Sequence, residues 1–306
     1  MKQFLYFTLL FVVLLFSCTE GQISKPTPIL DLSASIRGSG IYVFNYSNTS
    51  INISINVYFH IPNSVNFNTE ILMVLHGNGR NAGDYRDAFV AKADLKNFIV
   101  VVPEFSSANF PGGHAYNLGH INQDGDNTST SNLNPEDKWT FSIIEPLFED
   151  FKRAINSNRN SYHIFGHSAG GQFAHRFVFF KPNALFDKVI ASASSCYTVP
   201  NESISLPYGL NNSPLTNLAL STVFQKVIIV QIGTLDTHPN APGLRRNVYA
   251  DAQGTNRFDR PNYFYNTALN LANTTNSAFN WQLQTISSLD HDFQDAAFYG
   301  ADIIFN

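Results

Sequence analysis

Residues 161–180 read SYHIFGHSAGGQFAHRFVFF and carry the most informative structural pattern of the sequence. Its first part, residues 162–165, is a short aromatic and β-branched run typical of a buried strand. A Gly-x-Ser-x-Gly pattern centred on Ser168 follows at once, and then apolar residues at helical spacing. This order predicts a sharp strand-to-helix turn that holds Ser168 in a strained conformation with its hydroxyl exposed. Gly166 and Gly170 fit such a turn, because side chains there would collide where the strand and the helix cross.

The rest of the chain alternates apolar strands with helices. Residues 71–75 and 98–102 are continuous apolar runs, as expected of strands covered on both faces. Further strands are predicted at residues 42–46, 51–61, 188–192, 226–232 and 279–286, and helices at residues 83–95, 141–155, 263–272 and from residue 294. This alternation predicts an α/β fold, in which helices cover both faces of a mostly parallel central sheet.

The composition fits a globular domain without nucleic-acid partners. The chain has 306 residues, of which 44% are hydrophobic, so it can bury a sizeable core. Its formal net charge is −4 and only 14% of its residues are charged, which indicates no basic face for nucleic acid. Residues 41–306 contain no repeat or low-complexity tract and are predicted to form one domain.

The N-terminus has the pattern of an export signal. Lys2 precedes an apolar run over residues 4–16, which is short for a membrane span but suits a signal peptide of residues 1–17. Cys18 follows directly, and the sequence there resembles a bacterial lipobox, which implies lipidation of Cys18 and a membrane contact through that anchor. Cleavage of an ordinary signal peptide nearby is the alternative. Both interpretations predict an exported protein, in the bacterial cell envelope or secreted, with residues 18–40 as a polar tether.

Two irregular segments interrupt the alternation. Residues 105–137 are longer than an ordinary connection and follow a central strand, so we expect them to form part of a cleft wall, with Tyr116 and Trp139 as candidate substrate contacts. Residues 197–220 are expected to act as a lid or specificity loop. Asp124 opens an Asp-Gly-Asp sequence that lacks the further ligands of a calcium loop, so a solvated turn is favoured. Neither a metal nor a cofactor is predicted.

Three polar residues follow three predicted strands. Ser168, Asp236 and His291 each lie just beyond a strand end, and the carboxyl ends of parallel strands meet at one edge of a sheet. A serine hydroxyl is a poor nucleophile until a base accepts its proton, which assigns His291 as base and later as acid. Asp236 would fix the tautomer of the imidazole and stabilise its protonated form.

Other candidates for these roles fit less well. His163 and His167 flank the serine but are held by the strand and the turn, and His238 lies on the same loop as the acid. Asp290 and Asp292 adjoin the candidate base, yet neighbours along the chain rarely form the lateral hydrogen bond that is needed. Solvated loop residues remain the alternative interpretation of the acid and the base.

A glycine-rich loop at residues 76–81 ends the strand of residues 71–75. Such a loop can direct backbone N–H groups into a site where negative charge develops on an oxygen. The amide of Asn78 is one candidate oxyanion donor, and the amide of Ala169, next to the serine, is the other. A simple strand-to-helix turn is the alternative. The loop lacks the Gly-Lys-Ser/Thr ending of a phosphate-binding loop.

Four motifs carry a resemblance to a known family. They are Leu75-His76-Gly77, Gly166-His167-Ser168-Ala169-Gly170-Gly171, Gly233-Thr234-Leu235-Asp236 and the late His291. Over about residues 51–303 the chain resembles the α/β-hydrolases, in particular the secreted polyester depolymerases and feruloyl esterases. The resemblance implies hydrolysis of carboxylic esters through an acyl-enzyme, without a cofactor. A serine peptidase or amidase of the same fold, or a non-catalytic binding lipoprotein, is the alternative function.

Overall fold

The computed structural model describes residues 32–125, 127–215 and 218–306. The predicted signal peptide, Cys18 and residues 18–31 of the predicted tether lie outside this part of the chain. Within it, Leu32 and Ile36 pack against the core as partly buried residues, and the first strand begins at Gly38. Contacts with the domain therefore begin before residue 41.

Within the described residues, eight strands form one sheet in the order β1-β2-β4-β3-β5-β6-β7-β8. The strands are β1 (Gly38–Ser47), β2 (Asn52–Ile61), β3 (Ile71–Leu75), β4 (Ile99–Pro103), β5 (Tyr162–His167), β6 (Phe186–Ser192), β7 (Val227–Gly233) and β8 (Gln282–Ile286). β2 runs antiparallel to β1 and β4, and every other neighbouring pair is parallel. The predicted fold class is confirmed.

In the described residues, α-helices lie in the connections between the strands, and one more follows β8 at the end of the chain. They are α1 (Ala82–Lys96), α2 (Ile144–Ala154), α3 (Ala169–Phe180), α4 (Leu220–Phe224), α5 (Val248–Asp251), α6 (Asp259–Thr274) and α7 (Phe293–Ile304). None of the helices found in the described ranges is both long enough and apolar enough to cross a membrane.

Strand β3 shows how the sequence covers both faces of the sheet. Ile71, Met73 and Leu75 belong to the core cluster packed by α2, α3 and α6, whereas Leu72 and Val74 belong to the cluster packed by α1 and α7. Successive side chains of a strand point to opposite faces, so a continuous apolar run requires apolar partners on both. The sheet is thus the middle of three layers.

Element boundaries differ from the prediction where tertiary packing decides them. Helix α6 begins at Asp259, before the predicted residue 263, because Pro261 falls in the first turn, where its missing N–H removes no helical hydrogen bond. Strand β8 is shorter than predicted. Trp281, which precedes it, lies instead against Phe264 of α6 with a distance of 5.0 Å between ring centroids.

The turn between β5 and α3 has no room for side chains at two glycines. A Cβ on Gly166 would lie 2.1 Å from the carbonyl oxygen of Gly170, and a Cβ on Gly170 would lie 1.9 Å from that of Leu75. Both distances are far inside van der Waals contact with rigid backbone. The two glycines therefore let the helix begin directly against the carboxyl ends of β5 and β3, which places Ser168 at that edge of the sheet.

Candidate active site

Ser168 is the single residue between β5 and α3, and its backbone is strained. Its φ of 56° and ψ of −113° lie in a region that residues with side chains rarely adopt. The Ser168 amide donates to the carbonyl of Ser192 at the end of β6, at 2.9 Å, which holds the turn against the neighbouring strand. Strain of this kind persists where the surrounding structure fixes it, as is common at functional sites.

The structure brings Ser168, Asp236 and His291 together. His291 Nε2 lies 3.3 Å from Ser168 Oγ, and His291 Nδ1 lies 2.8 Å from Asp236 Oδ2. The Asp236 side chain is 4% exposed, whereas that of His291 is 27% exposed. The imidazole therefore links a buried carboxylate to a serine hydroxyl that solvent can reach.

The rival groups lie elsewhere. Asp290 accepts a hydrogen bond from the backbone N–H of His291, and Asp292 caps the N-terminus of α7, so both carboxylates bind backbone amides. His163 Nε2 is 3.2 Å from Glu70, and His238 is exposed and accepts from the amide of Asn240. The carboxylate on the His291 ring is that of Asp236.

The two candidate oxyanion donors face the same cavity as Ser168. Asn78 is exposed in the loop after β3, and Ala169 is the first residue of α3, where a backbone amide has no partner within the helix. Both residues line the cavity together with Ser168 and His291. An anionic oxygen above the serine could therefore be met by amides from two sides.

The cavity has a volume of about 750 Å³ and opens at the carboxyl edge of the sheet. Its wall includes polar side chains from α3 and from the connections that follow β3, β4, β6 and β7, namely Asn81, His114, Asn117, Asp124, Gln172, Ser195, Arg245 and Arg257. The predicted wall segment of residues 105–137 contributes residues from Gly113 to Gly125, and the segment of residues 197–220 contributes Pro207 and Tyr208. Both irregular segments thus border the candidate site.

Comparison with solved structures identifies the family. Poly(aspartic acid) hydrolase-1 from Sphingomonas sp. KT-1 is 34% identical in sequence, the match covers 88% of this chain and 99% of that one, and the TM-score is 0.82. The chain belongs to the α/β-hydrolase family. It is a serine hydrolase.

Other similar structures agree with this assignment. A poly(3-hydroxybutyrate) depolymerase from Bordetella parapertussis is 27% identical over 88% of this chain and 90% of its own, with a TM-score of 0.82. A ferulic acid esterase is 17% identical over 88% of this chain and 98% of its own, with a TM-score of 0.52, and shares the fold. No protein-family model and no curated protein matches this chain. The resemblance predicted from the sequence motifs is confirmed.

The prediction that Tyr116 and Trp139 contact substrate is wrong for this α/β-hydrolase. Tyr116 is fully buried and donates to the carbonyl of His76 at 2.7 Å, and Trp139 donates through Nε1 to the carbonyl of Asn134 at 2.9 Å. Neither side chain lines the cavity. Both aromatic residues instead belong to the main core and pack against α3, Tyr116 on Phe173 and Trp139 on Phe180.

Arg257 was missed by the sequence reasoning. Its side chain is 2% exposed, its Nη1 lies 3.7 Å from Asp236 Oδ1, and its Nη2 donates to the carbonyl of Pro242 at 2.7 Å. Burial lowers the pKa of Arg257, and the charge of Asp236 opposes that shift. The carboxylate thus has an imidazole near one oxygen and a guanidinium near the other. No motif marks Arg257, which lies in the connection before α6.

Arg176 donates hydrogen bonds to both irregular segments that border the cavity. It lies on α3 with 1% exposure, and none of its acceptors among the described residues is a carboxylate. They are Thr198 Oγ1 at 2.8 Å, Gln172 Oε1 at 3.2 Å, Cys196 Sγ at 3.7 Å, and the carbonyls of Asn117 at 3.1 Å, Gln172 at 3.2 Å and Pro207 at 3.4 Å. Asn117 belongs to the first irregular segment, and Thr198 and Pro207 belong to the second. One buried guanidinium therefore fixes both segments against the helix that begins at Ser168.

We expect Arg176→Ala to lower the free energy of unfolding by roughly 3 kcal/mol or more, because it leaves several buried acceptors unpaired. The matched control is Arg153→Ala, since that side chain is 74% exposed and its ion pair in the described part of the chain is with Asp150 on α2. This control should stay within about 0.5 kcal/mol of the unsubstituted protein. Urea denaturation followed by circular dichroism measures both, and equal stabilities of the two variants would contradict the role given to Arg176.

Proposed function

We propose that this serine hydrolase cleaves carboxylic esters through a Ser168–His291–Asp236 triad and an acyl-enzyme intermediate. The supporting observation is the continuous chain of contacts from Asp236 Oδ2 through the His291 ring to Ser168 Oγ, at 2.8 Å and 3.3 Å. The 3.3 Å separation is slightly longer than a strong hydrogen bond, as is common before substrate binds.

In this mechanism His291 Nε2 takes the proton of Ser168 while Oγ attacks the ester carbonyl carbon. The carbonyl electron pair moves to the oxygen, which the amides of Asn78 and Ala169 stabilise. The tetrahedral intermediate collapses, and the departing alkoxide takes the proton from His291 and leaves as the alcohol. Water then attacks the acyl-enzyme by the same sequence and releases the acid and free Ser168. Throughout, Asp236 accepts the Nδ1–H hydrogen bond and balances the charge of the imidazolium.

A fluorophosphonate probe tests the activated serine directly. We expect the soluble domain to be labelled, and we expect Ser168→Ala to lose labelling and at least about 10⁴-fold in kcat/KM on a 4-nitrophenyl ester, because the nucleophile is gone. Ser192→Ala is the matched control, since that hydroxyl is buried and lies on the neighbouring strand. A folded, unsubstituted protein that is neither labelled nor active would favour the non-catalytic binding function.

Amide hydrolysis is the second candidate. The 34% identical relative is named for poly(aspartic acid), a polymer whose units are joined by amide bonds. The same triad can cleave amides, with His291 donating its proton to a leaving amine. A 4-nitroanilide matched to each 4-nitrophenyl ester distinguishes the two functions, and turnover of the anilide at a rate near that of the ester would favour the amidase.

The part of the cavity lined by Gln172, Ser195 and Asn117, called the cavity floor, lies beside Ser168 and favours polar acyl groups. Gln172, one helical turn after the serine, donates to Ser195 Oγ at 2.8 Å and accepts from Asn117 Nδ2 at 3.0 Å, and all three residues line the cavity. A long alkyl chain would bury these polar groups under an apolar surface that offers them no further hydrogen bonds, which is less favourable than contact with a polar acyl group.

We therefore expect kcat/KM to be at least about 10-fold higher for 4-nitrophenyl acetate or a hydroxylated butyrate than for the octanoate, which corresponds to about 1.4 kcal/mol. Gln172→Leu should narrow this ratio, because it makes the floor apolar. Steady-state kinetics on the three esters give the ratios. An unsubstituted enzyme that prefers the octanoate would rule out a polar acyl site.

We also propose that the enzyme acts outside the cytoplasm, anchored by lipid on Cys18. The support is the N-terminal pattern of a positive residue, an apolar run and then Cys18. After growth of a bacterial host with an alkyne fatty acid, the full chain should carry the label and Cys18→Ser should not. The chain contains one other cysteine, so Cys196→Ser is the control and should keep the label. Label retained in Cys18→Ser would exclude lipidation at this site.

A further inference from the structure

Tyr85 lies where three loops of the candidate site meet. It belongs to the first turn of α1 and is 3% exposed. Its hydroxyl is 3.0 Å from Nδ1 of His167, the residue before Ser168, and its ring stacks on Phe293 with centroids 4.4 Å apart and planes 17° apart. Phe293 begins α7, two residues after His291. One side chain therefore touches both His167, next to Ser168, and Phe293, close to His291.

The third contact of Tyr85 is with the glycine-rich loop of residues 76–81, which carries the candidate donor Asn78 and is called the oxyanion loop below. A Cβ on Gly77 would lie 2.7 Å from the Tyr85 hydroxyl oxygen, so the hydroxyl packs directly against the backbone before Asn78. Burial raises the pKa of Tyr85, and a hydrogen bond from the Gly77 backbone opposes the rise. We assign the Gly77 N–H as donor to the hydroxyl and the hydroxyl as donor to His167 Nδ1. That assignment places the remaining imidazole proton of His167 on Nε2.

The ring of His167 packs against the ring of His291. The two rings lie 4.7 Å apart between centroids, with 38° between their planes. Burial, together with the nearby charges of His291 and Arg257, holds the pKa of His167 well below its ordinary value. His167 is thus a neutral ring behind the imidazole that contacts Ser168.

Packing alone does not explain this arrangement. His167 Nε2 is buried and has no hydrogen-bond partner among the described residues. An unpaired buried polar atom costs stability, whereas an apolar ring at this position would give the same stacking without that cost. The other nitrogen, Nδ1, is paired with the hydroxyl of Tyr85, which also touches the backbone of Gly77.

We propose that Tyr85 and His167 are a positioning pair, which fixes the oxyanion loop and the His291 ring relative to Ser168. This inference rests on the proposed function of the triad. Neither residue exchanges protons with substrate. Their effect is on the geometry of the groups that do, and displacements of about 1 Å in such groups can cost about 100-fold in rate.

Tyr85→Phe tests the pair, because it keeps the ring and its stacking on Phe293 and removes only the hydroxyl. We expect kcat on the best ester to fall about 10- to 100-fold while KM changes less than about threefold. Fluorophosphonate labelling should slow in proportion to kcat. His167→Phe should cause a similar fall, and the double variant should lose little more than either single variant, as expected of residues that act as a unit.

Tyr162→Phe is the matched control. Tyr162 is also fully buried, and its hydroxyl donates to Glu145 at the opposite end of β5. This variant should lose thermal stability but keep kcat within about twofold. The positioning role is overturned if Tyr85→Phe keeps full kcat, or if Tyr162→Phe loses as much kcat as Tyr85→Phe at an equal loss of thermal stability. Activity that survives Ser168→Ala would instead refute the proposed function itself.

Discussion

The close crossing of β5 and α3 is the contact on which the rest of the site depends. Gly170 meets the carbonyl of Leu75 and Gly166 meets that of Gly170, at distances that no side chain permits. Because the helix begins against two strands at once, Ser168 is forced into a positive φ with its hydroxyl above the sheet edge. The same crossing places the first amide of α3 next to that hydroxyl. The turn thus provides both the proposed nucleophile and one proposed oxyanion donor.

The sheet explains why three distant residues could be predicted from the sequence as neighbours. Ser168 follows β5, Asp236 follows β7 and His291 follows β8, and these strands are parallel within one sheet. Apolar runs identify such strands, and the rule that parallel strands end at one edge supplies the proximity without any contact being known. The fold and the proximity of these three residues therefore follow from periodicity and chain order alone.

The walls of the cavity were not accessible in the same way. Tyr116 lies in a segment whose composition indicates an open loop, and Trp139 lies just after it, yet both are buried against α3. Arg176 and Arg257 carry charges that composition places at the surface, yet both are almost fully buried. Irregular segments take their shape from long-range hydrogen bonds to single residues, and no local pattern encodes which residue that is. Gln172 was also not predicted, although its position one turn after Ser168 on a predicted helix is a signal that could have placed it beside the site.

The groups around His291 favour a positive charge on its ring while it holds the proton of Ser168. In the proposed mechanism His291 becomes an imidazolium between a buried carboxylate and the reacting oxygen, and Asp236 compensates that charge. A second imidazole 4.7 Å away would oppose it if protonated, but burial keeps His167 neutral. Arg257 lies near the far oxygen of Asp236, so its charge acts mainly on the carboxylate. Charge can therefore appear on His291 without a like charge against its ring, and a positioning pair next to the triad has to be uncharged for that reason.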